Sequence, residues 1–172
     1  IARRYHDASY LYSIKQMDSM ASQAIYREVL GKIETYYFSE LNWQQILKSG
    51  IDQLEVALHD ELFRGHHGLT VSDIDLQQYR NSVARILANR VCRNARDVLQ
   101  SAISVSQIAE RTLKVSQQAV MLELLSGTII TLDRYSSYLT STQLDDMFSQ
   151  IDGKFVGLGI ELRIQGNHLL VE

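Results

Sequence analysis

Not one proline occurs among the 172 residues of this chain, where ordinary usage of about 5% predicts roughly eight or nine. Proline fixes φ and removes a backbone donor, so it punctuates loops, edge strands and helix ends. Its absence argues against a loop-rich sandwich or barrel, favours long helices joined by short connections, and excludes a proline-rich linker. Hydrophobic residues make up 45% of the chain, enough to build a core in one domain, or in one domain plus a piece of a second.

Hydrophobic spacing supports the helical reading. Asp18 and Ser19 are helix caps, and Ala21, Ile25, Val29, Ile33 and Tyr36 or Tyr37 recur behind them at helical intervals. Asn42 caps a second helix, with Gln45 placed as in a capping box and a stripe of Leu47, Ile51, Leu54, Leu58 and Leu62. The short connection predicts that these two helices pack antiparallel. Arg64-Gly65-His66-His67-Gly68 is the first strong break. Ser72 with Asp75 opens a helix carrying Leu76, Tyr79, Val83, Ile86 or Leu87, and Val91. Asn94 with Asp97 opens one carrying Val98, Ala102, Val105 and Ala109, and Ser116 opens another through Val120 and Leu124. Residues 1–17 do not decide between helix and extended arm.

The pattern changes after residue 139. Thr140 with Gln143 starts a short helix bearing Leu144, Met147 or Phe148, and Ile151, which is expected to stop at Asp152-Gly153. Val156, Leu158, Ile160, Leu162 and Ile164 then alternate with Gly157, Gly159, Glu161, Arg163 and Gln165, the period of a strand. Gly166-Asn167 fits a two-residue hairpin turn before a return strand over His168–Val171. A two-stranded hairpin is marginal alone in water, so these strands are expected to begin a larger sheet. The fold class is therefore mainly α, a bundle of antiparallel helical hairpins with a short C-terminal β-hairpin.

Several classes of function are disfavoured. Seventeen basic and twenty acidic residues give a formal charge of -3, without a block of like charge suited to nucleic acid. No apolar run approaches the roughly 18 residues of a membrane span. Cys92 is the single cysteine, which excludes an intrachain disulfide and a cysteine-based zinc cluster. Ile1 in place of an initiator methionine and the apolar run around Val171-Glu172 make both ends look like cuts in a longer chain.

No catalytic residue and no cofactor is assigned. Ser136-Ser137 lack the Gly-x-Ser-x-Gly context of a nucleophile elbow. His59, Asp60, Glu61, His66 and His67 gather near one helix end, but a metal site needs ligands converging at fixed geometry. Solvation of the helix end and its turn explains them more simply, and no metal is assigned. Trp43 and Tyr36, Tyr37, Tyr79, Tyr135 and Tyr138 sit at helix junctions, where aromatics more often complete a core than form a docking surface. Gly157-Leu158-Gly159-Ile160 fails as a dinucleotide fingerprint, because Leu162 occupies the third glycine position. A Gly-x-Gly loop entering a strand can instead present backbone N–H groups to a peptide carboxylate. The residue pattern alone favours a simple bend or bulge.

Taken in order, Gly127-Thr128-Ile129-Ile130-Thr131-Leu132-Asp133-Arg134-Tyr135-Ser136-Ser137-Tyr138-Leu139 and Gly153-Lys154-Phe155-Val156-Gly157-Leu158-Gly159-Ile160 resemble a stretch of the carboxyl-terminal processing, or tail-specific, proteases. There a Gly-(x)4-Leu-Asp-Pro-x-Ser-x-Tyr/Phe-Leu pattern leads through a short helix to Gly-x-Phe-x-Gly-Ile/Leu-Gly-Ile, which opens a PDZ domain. Tyr36-Tyr37, Asn42-Trp43 and Gly50-Ile51 resemble an upstream helix pair of the same family. The strong resemblance covers residues 127–164 and a looser one 25–58. Residues 65–116 depart from it as a helical insertion, of a kind associated with large multidomain bacterial members. Arg134 and Ser141 stand where the family commonly has proline.

The resemblance implies a helical domain over 1–152 and the first strands of an incomplete PDZ domain over 153–172. It implies a parent serine endopeptidase with a Ser-Lys dyad downstream of this chain, acting in the periplasm, outside the cell or at a membrane surface outside the cytoplasm. Gly157, Leu158, Gly159 and Ile160 would belong to the loop that binds substrate C-termini. Leu132, Asp133, Ser136, Ser137, Tyr138 and Leu139 would be structural. The helices would serve as scaffold and as a homodimer interface. The alternative from another class is a helical protein-interaction or adaptor module unrelated to proteolysis. A serine and a lysine in the expected downstream context discriminate the two.

Overall fold

The computed structural model describes residues 1–133, 136–151, 162–165 and 168–171. The chain is mainly helical and divides into two compact units, Ile1–Tyr138 and Leu139–Glu172.

In the first unit the order is α1 (Ala2–Tyr5), α2 (Ala8–Gln16), α3 (Ser19–Tyr36), α4 (Trp43–His59), α5 (Glu61–His67), α6 (Asp73–Asn89), α7 (Ala95–Leu113) and α8 (Gln117–Leu132). The undecided N-terminal segment is thus helical, with Asp7 accepting the Ser9 and Tyr10 N–H groups at the start of α2. The caps anticipated at Asp18, Asn42, Ser72 and Asn94 form at their expected positions. Ser116 precedes α8 but its side chain makes no capping bond. Gln45 donates its N–H to Asn42 while its side chain turns to Ser49, so only half of that capping box is made.

Helix α8 organises the unit. Ten consecutive residues, Ala119–Thr128, are buried, so this stretch of the helix has no solvent face and is surrounded on all sides, while Ile130 in the last turn is exposed. It packs on α3, α4 and α7. The expected α3–α4 pairing therefore gives way: both helices take α8 as a principal partner, because a helix apolar all round satisfies two amphipathic faces at once. Helices α6 and α7 pack together, and the Val98, Ala102, Val105, Ala109 stripe is fully buried.

The α4–α8 contact is made by backbone. A Cβ on Gly127 would lie 2.3 Å from the Ser49 carbonyl oxygen and 2.7 Å from Gly50 Cα. Only glycine at this crossing permits such an approach.

Other stripes shift. On α3 the buried line is Ser22, Tyr26, Leu30 and Ile33, while Ile25 and Val29 are half-buried and Ala21 and Tyr36 are exposed. The rotation seats Tyr26, whose hydroxyl pairs with Thr128 Oγ1 at 2.7 Å. Helix α4 stops at His59, so Leu62 belongs to α5: Asp60 is extended and its carboxylate accepts the Leu62 and Phe63 N–H groups. Gly65 lies inside α5, and the break falls at Gly68, whose φ of 60° is left-handed. Val91 lies beyond α6 and is exposed.

In the second unit, Thr140 and Gln143 exchange capping-box hydrogen bonds, each 3.3 Å, before α9 (Ser141–Ile151). The backbone over β1 (Leu162–Gln165) pairs antiparallel with β2 (His168–Val171), in the register Leu162↔Val171 and Gln165↔His168. Residues 152–161 and the expected turn at Gly166-Asn167 lie outside the described residues. Among the described residues, no helix is long and apolar enough to cross a membrane.

Candidate functional site

The carboxylate-loop residues Gly157, Leu158, Gly159 and Ile160 lie outside the described residues. The other candidate stretch, Leu132 to Leu139, starts at the end of α8. The helix ends at Leu132 because Asp133 is fully extended, with φ −164° and ψ 173°. Asp133 Oδ1 then accepts the Ser136 N–H at 2.7 Å. From α3, the Tyr37 hydroxyl donates to the Leu132 carbonyl, one of the carbonyls a helix end leaves without an internal partner. Tyr138 meets the Tyr10 ring edge-on, with centroids 6.2 Å apart, and burial pushes its phenol pKa up.

Ser136 is half-buried and Ser137 exposed, and among the described residues no side chain hydrogen-bonds either hydroxyl. Beside them a shallow groove of about 360 Å³ runs between α3 and α8, lined by Val29, Ile33, Tyr36, Ile129, Leu132 and the two serines. Lys32, which also lines the groove, is ion-paired to Glu28 at 2.8 Å.

A buried charge network joins the N-terminus to α8. Glu123 is completely buried, and its Oε2 accepts from Arg4 Nη2 at 2.6 Å and from Gln53 Nε2 at 3.2 Å. Arg4 Nη1 donates to Ser126 Oγ. Burial is the largest influence on Arg4 and opposes its charge, but the Glu123 carboxylate and Tyr10 together outweigh it and the guanidinium pKa is raised. The Tyr10 ring lies beside the guanidinium, 5.9 Å from centroid to Cζ, and burial drives the Tyr5 and Tyr10 phenols well above their ordinary range. Sequence reasoning missed this network. Its one signal is a lone glutamate within Val120-Met121-Leu122-Glu123-Leu124-Leu125, since a carboxylate in an apolar run demands a partner. Nothing in the sequence pointed to Arg4.

The candidate ligand cluster disperses. Asp60 caps α5, and the His59 ring nitrogens face the Glu55 carbonyl at 2.8 Å and Arg80 Nη2 at 3.3 Å. His67 Nε2 faces the Tyr5 hydroxyl at 3.2 Å, and its ring lies 4.6 Å from that of Phe63. Burial, reinforced by His66, lowers the His67 pKa to about 4. Among the described residues no three His, Cys, Asp or Glu side chains converge as a metal site. Of the aromatics read as core, Tyr79 is fully buried but Tyr36 is 80% exposed. Cys92 is buried, its N–H donating to Gln44 Oε1 at 2.9 Å and its thiol pKa pushed up by burial.

Comparison with family models, with curated protein sequences and with solved structures finds no match to this chain.

Proposed function

We propose that this chain is a non-catalytic helical scaffold of a carboxyl-terminal processing serine endopeptidase, leading into a PDZ domain that binds substrate C-termini. The observation that carries the proposal is the segment from Gly127 to Tyr138. Gly127 lets two helix backbones touch, the Leu132 carbonyl accepts the Tyr37 hydroxyl, Asp133 accepts the Ser136 N–H, and Tyr138 packs on Tyr10. A pattern in which these four residues make packing or hydrogen-bond contacts suits a scaffold that positions the next domain. On this reading α6 and α7 form an antiparallel hairpin within the helical insertion over 65–116, and the β1–β2 pair opens the PDZ sheet. Peptide-bond cleavage belongs to a Ser-Lys dyad further along the parent chain, in a compartment outside the cytoplasm, with the helical unit as homodimer interface.

The parent reading frame tests this. It is expected to continue through a PDZ domain to a serine and a lysine, and the full-length protein should cleave a protein substrate with an apolar C-terminus. Replacing that serine by alanine should abolish cleavage, and the 172-residue chain alone should be inactive. A frame that closes after Glu172 overturns the proposal. A second reading, a helical adaptor module, is favoured by one observation: α9 exposes Leu144, Met147, Phe148 and Ile151 at helical spacing. Binding of a partner protein by a chain whose frame closes after Glu172 supports that reading instead.

A further inference from the structure

The first two helices reach three places at once, one of them α5, whose Phe63, His66 and His67 rings surround Tyr5. Arg4 of α1 is hydrogen-bonded to Glu123 and Ser126, which lie on α8, and Glu123 is tied in turn to Gln53 of α4. Six residues further on, the Tyr10 ring touches Tyr5 at 5.5 Å between centroids and Tyr138 at 6.2 Å, both edge-on. Arg4, Tyr5, Tyr10 and Ile14 are all buried. Removing one member of a buried ion pair strands the other without solvent or partner. Loss of the pair therefore disfavours the docked position of the segment that carries Arg4. That segment joins α3 through Met17 and Asp18, both in extended backbone that can absorb its movement.

We propose that α1 and α2 form a strap whose docking is coupled to Tyr138, the residue at which the first unit ends. Among the described residues, Tyr10 is the ring partner of Tyr138. When the strap is docked on Glu123, Tyr10 holds Tyr138, two residues beyond the Ser136 N–H that Asp133 accepts. When the strap leaves, Tyr138 loses that ring partner. Coupling between two sites is reciprocal, so loosening Tyr138 must also loosen the strap. The strap operates whether or not the parent is a protease, because it rests on contacts within the first unit.

Hydrogen exchange on the 172-residue chain tests the coupling. Arg4→Met strands Glu123 and is expected to speed exchange across residues 1–17 by about 100-fold, the scale of a broken buried pair. Ser136 and Tyr138 should accelerate with it, while α4 and α7 keep their protection. Fast exchange in 1–17 with Ser136 and Tyr138 as protected as in the wild type overturns the proposal. If Arg4→Met fails to fold, Tyr138→Ala decides. Faster exchange across 1–17 in that variant supports the strap, and unchanged exchange there overturns it.

Discussion

Gly127→Ala is the most direct test of how the first unit is packed. A methyl group at this position would meet the Ser49 carbonyl oxygen at 2.3 Å, Gln53 Cβ at 2.7 Å and Gly50 Cα at 2.7 Å, where ordinary contact begins at 3.4 Å. Two of those atoms are α4 backbone, so no rotamer change relieves the clash and the helices must part by roughly 1 Å, a gap that forfeits a quarter to a half of the dispersion attraction of each affected contact. That loss runs along an interface flanked by Leu47, Ile51 and Leu54 on α4 and Val120 and Leu124 on α8, all buried. Overpacking typically costs about 1–3 kcal/mol and occasionally more, against which alanine regains about 1 kcal/mol of helix propensity. Because backbone meets backbone, the upper end applies, and the net expectation is a loss of about 2 kcal/mol. For a chain of this size that lowers Tm by roughly 4–8 °C, measurable by circular dichroism on heating and in urea. The control is Gly31→Ala, where a Cβ meets nothing within 4 Å and helix propensity alone should raise stability by about 0.5–1 kcal/mol. If Gly127→Ala melts at or above the wild type, as Gly31→Ala should, the two backbones do not touch and the reasoning fails.

Two further outcomes are expected. His67 has its pKa lowered to about 4 by burial and by His66. The unfolded chain then takes up a proton near pH 6.5 that the folded chain refuses, so stability falls as pH drops from 6.5 towards about 4 and no further below it. The ideal limit is about 3 kcal/mol, reduced to about 1–2 by the partial exposure of the ring. Urea unfolding at pH 7 and pH 4.5 measures the effect, and an undiminished decline in His67→Phe contradicts the assignment. At the helix caps, Asn94→Ala should cost about 1 kcal/mol, because it removes the acceptor of the Asp97 N–H. Ser116→Ala should cost less than about 0.5 kcal/mol, since that side chain makes no capping bond; equal losses in chemical denaturation argue against the difference.

The helix starts were legible because a cap is local: Asn94 and Asp97 lie three residues apart and find each other whatever the tertiary fold. The α7 stripe was legible for a similar reason, since its period survives any choice of partner. The α3 face was not, because periodicity weighs Ile25 above Tyr26, and only Thr128, distant in sequence, gives the tyrosine hydroxyl a buried partner. The α3–α4 pairing failed because short connections favour neighbours, whereas the nearly all-apolar α8 offered both helices a larger surface. In the candidate stretch, the pattern identified Asp133, Ser136 and Tyr138, but not the contacts of Tyr138 with Tyr10 or of Arg4 with Glu123, which are set by three-dimensional approach.

In place of proline, this chain marks its helices with acceptor side chains. Asp7, Asp18, Asn42, Asp60, Ser72 and Asn94 each take a first-turn N–H group. Proline forbids a helix sterically, at about 3 kcal/mol, whereas a cap favours one boundary over its neighbours by about 1 kcal/mol. Boundaries written this way depend on a single side chain each. Asp60 shows the consequence: it separates α4 from α5, and no glycine or proline assists it. That separation sets the direction of α5, which carries Phe63 and His67 against the Tyr5 ring. The seat of the N-terminal strap thus depends on one carboxylate holding two helices apart, and a chain that used proline there would gain a firmer boundary while losing the N–H that Asp60 donates to the Ala57 carbonyl.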